Sequence, residues 1–204
     1  MKKWLLVFWF CFPFGLQAQT TLLFLGDSLS AGFGVDPEEG YVALVDKNLQ
    51  DKGLKIKVIN GSISGSTTAS AAGRIRWYLK SKPDYLFLAL GANDGLRGRP
   101  VGEIKQDLAL AIELAQKAGV KVLLAGMQMP KNLGAQYTED FAKLYPDLAQ
   151  KAKLPLLPFL LKGVGGHPDL NQPDGIHPNP KGHVLIAQLV TDFLILHLQK
   201  PYGP

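Results

Sequence analysis

One repeated pattern constrains the fold more than any other feature. A short apolar run stops at glycine, and a stretch with helical spacing follows. Residues 22–25 (LLFL) end at Gly26, residues 54–60 (LKIKVIN) lead into Gly61, and residues 85–91 (YLFLALG) close on Gly91. Residues 120–127 (VKVLLAGM) form a fourth run. A fifth, residues 154–160 (LPLLPFL), carries Pro155 and Pro158, which suit a sheet edge because proline cannot donate to a ladder. Runs that are apolar at successive positions belong to strands covered on both faces, and their alternation with helices predicts a parallel sheet. The expected fold is α/β: a three-layer α/β/α sandwich with a roughly five-stranded parallel sheet in flavodoxin-like order.

The intervening helices are read from spacing and punctuation. Asp36-Pro37-Glu38-Glu39 predicts a helix start that continues through Tyr41, Leu44, Val45 and Leu49 to Gly53. A second helix is expected through Ala69, Ile75, Trp77 and Leu79, broken at Pro83-Asp84. Residues 104–118 place Leu108, Ile112 and Ala115 on one face. Residues 138–151 predict a helix with a kink at Pro146, and residues 180–198 predict the last one. Asn93-Asp94-Gly95 reads as a turn. No internal repeat or linker divides the chain, and 204 residues suit one domain with a sizeable core.

The first 18 residues differ in kind. Lys2 and Lys3 precede an apolar stretch over residues 4–15, and Leu16-Gln17-Ala18 offers a small residue for cleavage. This is the anatomy of a secretory signal peptide, too short to span a membrane comfortably. The expectation is a cleaved leader over 1–18, a domain over 19–204, a secreted or periplasmic location in a bacterium, and no stable membrane anchor. The one cysteine, Cys11, lies in the leader and follows Phe10, where a lipoprotein site wants a small residue. The processed chain then has no disulfide, thiol nucleophile or cysteine metal site. Losing Lys2 and Lys3 takes the formal charge from +5 to +3, without a dense basic run, so no nucleic-acid partner is expected.

In open parallel sheets, ligands bind beyond the carboxyl ends of the strands. The first such turn presents Asp27-Ser28. A serine hydroxyl is a weak nucleophile unless a base takes its proton, and Gly-Asp-Ser alone is an ordinary cap or turn. The partners come from elsewhere. In Asp174-Gly175-Ile176-His177, acid and imidazole three apart can lie side by side, the carboxylate holding Nδ1 and leaving Nε2 for Ser28. Candidate donors for an oxyanion are the N–H groups of Ser28 and Gly65 and the Asn93 amide. Ser30 stands two residues after Ser28, so the GxSxG elbow is absent.

FLGDSLSAGFG, the Ser64-Gly65 loop, GANDGLRG and DGIHPN resemble, in order, the four sequence blocks of the SGNH, or GDSL, hydrolase superfamily. The resemblance covers nearly the whole mature chain. It points to the bacterial branch with thioesterase I, lysophospholipase and arylesterase activities, to which Tyr145-Pro146 and residues 156–159 (LLPF) are also similar. It implies a serine esterase acting on carboxylic or thio esters, such as acyl esters and lysophospholipids. Ser28, His177 and Asp174 would be its triad, with Gly65 and Asn93 beside Ser28 in the oxyanion hole. No cofactor or metal is expected. The partner is a small-molecule ester or lipid, with Met129, Leu133, Leu160 and Leu161 as substrate-binding candidates. The alternatives are a carbohydrate O-acetyl esterase and a non-catalytic binding protein on the same fold. His167, His183, His197, Asp27, Asp94, Arg97 and Arg99 are read as structural or solvated residues.

Overall fold

The computed structural model describes residues 19–198; the leader and Cys11 lie outside them. Every apolar run becomes a strand: β1 (Thr20–Gly26), β2 (Ile56–Asn60), β3 (Tyr85–Ala89), β4 (Lys121–Ala125) and β5 (Leu156–Leu157). They form one parallel sheet in the order β2-β1-β3-β4-β5, the flavodoxin-like order expected from the alternation. Leu22 sits opposite Val58 on one side and Tyr85 on the other, and Phe24 opposite Phe87. Both central strands are buried on both faces, and the Phe24 and Phe87 rings lie 5.0 Å apart. Each such side chain contributes on the order of 1.5–3 kcal/mol of burial.

Among the described residues seven α-helices accompany the sheet: α1 (Ser28–Ala31), α2 (Tyr41–Asp51), α3 (Ala71–Tyr78), α4 (Ala92–Leu96), α5 (Val101–Lys117), α6 (Ala135–Ala152) and α7 (Pro180–Leu198). Packing of α2 on α7, and of α3 and α6 on α5, makes the two outer layers.

Several boundaries differ from the sequence reading. Asp36 to Glu39 form a turn, with Glu39 N–H donating to Asp36 O at 2.9 Å and Asp36 N–H to Glu39 Oε2. The helix begins later, at Tyr41, because burial of Tyr41, Val42, Val45 and Leu49 sets its position more strongly than a surface cap does. Trp77 is 65% exposed and does not belong to the core. Residues 93–95 lie inside the short helix α4. α6 starts before Thr138 and continues through Pro146. β5 shrinks to two residues. Pro155 serves it as an acceptor only, taking Leu124 N–H at 3.0 Å, while Leu157 O takes Gly126 N–H at 2.8 Å.

Candidate active site

The carboxyl edge of the sheet gathers the polar residues. β1 ends at Gly26, where an added Cβ would strike Ser30 Oγ at 2.2 Å, so only glycine fits. Asp27 then caps α1, its Oδ1 accepting Leu29 N–H at 3.1 Å. This stands Ser28 on the first turn of α1. Its Oγ lies 2.9 Å from His177 Nε2, across 149 residues of sequence. His177 Nδ1 lies 2.7 Å from Asp174 Oδ2, so Nδ1 carries the proton and Nε2 is free to accept from Ser28. Asp174 Oδ1 accepts the N–H groups of Ile176 and His177 at 3.0 Å each. The His177 hydrogen bond, with these backbone donors, pulls the Asp174 carboxyl down to about 2. An imidazole held this way is placed to accept a proton from the Ser28 hydroxyl.

The His177 turn is strapped to the Ser28 side by Gln172. Its N–H donates to His177 O at 2.7 Å, and its Nε2 donates to Phe33 O at 2.7 Å and Pro178 O at 2.9 Å. The Phe33 ring packs 4.7 Å from the His177 ring.

Asn93, on α4, donates one amide hydrogen to Ser66 O at 3.1 Å, which leaves the second free. Gly65 has φ +78°, within a loop tied to β1: Gly61 N–H donates to Phe24 O, Ile63 N–H to Gly26 O, and Gly26 N–H to Ser62 Oγ at 3.0 Å. A cavity of about 480 Å³ opens at Ser28, Asn93 and His177, and Leu96, Met129, Pro130, Phe159, Leu161 and Ile176 form its apolar walls. Gly65 is not on that wall. Of the four substrate-binding candidates, Met129 and Leu161 line the cavity. Leu160 is fully buried in the core and Leu133 packs against the core, so neither reaches it. Phe159, Ile176 and Leu96 were missed. Ile176 was legible from its place between Asp174 and His177.

Asp94, Asp27 and His183, read from the sequence as structural or solvated, are all buried. Asp94 accepts Thr68 N–H and Oγ1–H at 2.9 Å each, and Arg99 Nη1–H at 3.0 Å. Arg99 also pairs with Asp107 at 2.5 Å and Glu103 at 3.2 Å, so it is engaged within the fold. Asp27 is fully buried, its Oδ2 has no hydrogen-bond partner, and burial pushes its carboxyl up to about 6. His183 Nδ1 accepts Tyr41 N–H at 3.2 Å, and burial pushes its imidazole down to about 4. Among the described residues, no group of three or more metal-ligating side chains is gathered.

A serine hydroxyl joined to an imidazole at the mouth of an apolar cavity suits ester hydrolysis. The chain belongs to the GDSL-like lipase/acylhydrolase family, which it matches over residues 24–185. It is 45% identical over 162 residues to esterase TesA of Pseudomonas aeruginosa, covering 79% of this chain and 81% of that one. The arylesterase of Vibrio mimicus is 39% identical over 194 residues, 95% and 97% of the two chains. Thioesterase 1/protease 1/lysophospholipase L1 of Escherichia coli K12 is 38% identical over 188 residues, 91% and 89%. The solved structure of the psychrotrophic esterase EstA from Pseudoalteromonas sp. matches with a TM-score of 0.85 at 34% identity, over 89% of this chain and 100% of that one. The chain is a GDSL-type serine esterase.

Proposed function

We propose that the protein is an exported esterase that hydrolyses acyl esters and lysophospholipids through a Ser28–His177–Asp174 triad. The observation that carries this reading is the continuous relay from Ser28 Oγ to His177 Nε2 at 2.9 Å and from Nδ1 to Asp174 at 2.7 Å, at the mouth of an apolar cavity. Ser28 attacks the ester carbonyl as His177 takes its proton, and Asp174 stabilises the imidazolium. Ser28 N–H, Gly65 N–H and the spare Asn93 amide hydrogen hold the oxyanion. His177 then protonates the leaving alcohol and activates the water that hydrolyses the acyl-enzyme. The apolar walls around Met129 and Leu161 favour an acyl chain over a lone acetyl group, and a relative named for lysophospholipase activity supports the lipid assignment. Residues 1–18 serve as the export leader of a domain over 19–204.

The test is hydrolysis of nitrophenyl esters from acetyl to palmitoyl, and of a lysophosphatidylcholine, by residues 19–204 and by Ser28→Ala. Activity on chains longer than acetyl that falls about 10⁴-fold or more in the variant is the expected result. Hydrolysis of acetate alone redirects the assignment to a carbohydrate O-acetyl esterase, and equal activity in both proteins refutes the triad.

A further inference from the structure

We propose that Arg74 is a positioning residue that sets the two backbone oxyanion donors in register; this rests on the oxyanion roles given above to Ser28 and Gly65. Arg74 stands on α3, outside all four sequence blocks. Its Nη1–H donates to Gly26 O at 3.2 Å and its Nη2–H to Gly61 O. Gly26 is the last residue of β1, two before Ser28. Gly61 directly follows β2 and opens the loop that carries Gly65. One rigid guanidinium therefore spans the starting points of both donor segments. The same two segments are stitched by Ile63 N–H to Gly26 O at 3.2 Å and Gly26 N–H to Ser62 Oγ. Tyr78, one helical turn beyond Arg74, closes over Gly61, where an added Cβ would meet its ring at 2.7 Å.

The energetics argue that stability alone does not explain this arrangement. Arg74 is half-buried, its hydrogen-bond partners are carbonyls, and no carboxylate of the described residues lies within salt-bridge distance of it. Its Nε is buried without a partner. Partly burying a cation and orphaning one of its donors costs folding free energy. Asp27 is a neighbouring negative charge acting through space. The gain lies in the fork: a planar guanidinium fixes the spacing of two acceptors, which a point-charge ammonium does not. An oxyanion donor is useful only where the negative charge develops, and losing one costs on the order of 10²–10³ in rate. Arg74 does not line the cavity, whose apolar walls include Met129 and Leu161, so its loss should leave acyl-chain binding little changed.

The test compares Arg74→Ala, Arg74→Lys and Ser28→Ala with the wild type by steady-state kinetics on a mid-chain nitrophenyl ester, with thermal midpoints recorded. The expected result is a kcat for Arg74→Ala lower by about 10²-fold or more, with KM changed less than about threefold. Arg74→Lys should fall in between, and millimolar guanidinium should restore part of the Arg74→Ala rate and none of the Ser28→Ala rate. A wild-type kcat in Arg74→Ala, with Ser28→Ala inactive, overturns the positioning role alone. Loss of rate without guanidinium rescue, in step with a lowered thermal midpoint, reduces Arg74 to a structural residue and also overturns it. An active Ser28→Ala overturns the site reading and this role together. Should Arg74→Ala fail to fold, Arg74→Lys decides: a kcat lowered about tenfold at unchanged KM supports the proposal, and an unchanged kcat overturns it.

Discussion

Replacing Asp27 with Asn should make the protein more stable at pH 8 and change little at pH 4.5. Burial raises the folded-state Asp27 carboxyl from 3.8 to about 6. A folded pKa raised above the unfolded one supplies stability in acid that is lost as pH rises through the folded value, because in that window the native state holds the extra proton. Two pH units at 1.36 kcal/mol each set the cost of the ionised carboxylate above pH 6 at roughly 3 kcal/mol. Asn keeps the Oδ1 acceptor for Leu29 N–H and carries no charge. Its amide sits where Oδ2 now has no partner, which returns about 1–2 kcal/mol. The net gain at pH 8 is about 1–2 kcal/mol, read as a shift in urea midpoint at constant m-value. Activity should move the other way: the Asp27 charge attracts the imidazolium formed at His177, and its removal lowers kcat several-fold. An Asn variant with the same stability difference from wild type at both pH values, or a less stable one at pH 8, refutes the reasoning.

His183 behaves in the opposite sense. Burial lowers its imidazole from 6.5 to about 4, so stability present above pH 6.5 is lost as pH falls towards 4, by up to about 3 kcal/mol. Urea unfolding of His183→Asn, which keeps an acceptor for Tyr41 N–H, should show this acid limb flattened. Gln172→Leu removes the straps to Phe33 O and Pro178 O, and kinetics should show kcat reduced about tenfold with a small change in thermal midpoint; an unchanged kcat would mean that the His177 turn holds itself.

Strand order and the pairing of Asp174 with His177 were legible because they rest on local signals: apolar runs ended by glycine, and a three-residue spacing in a turn. The same is true of the edge position of β5, marked by Pro155 and Pro158. What the sequence hid depends on tertiary burial. The Asp36-Pro37 start looked like a helix cap, yet the core contact of Tyr41 places the helix. Asp94 reads as a turn residue until Thr68, 26 positions away, arrives to donate to it. Leu160 and Leu161 are alike in sequence, and only the packing decides that one enters the core and the other faces the cavity. Arg74 carries no signal at all, since its partners are main-chain carbonyls.

The distance along the chain between Ser28 and His177 has a consequence for synthesis. Among the described residues the five strands are complete at Leu157, and His177 follows 20 residues later, just ahead of the helix that docks on α2. During synthesis Ser28 therefore emerges well before His177, its hydrogen-bond partner. Loop closure over such a span carries an entropic cost that the contacts of the finished scaffold offset. On the proposed triad, hydrolysis begins only once the His177 turn is seated beside Ser28, and its onset in a refolding experiment should follow the docking of α7 rather than formation of the sheet.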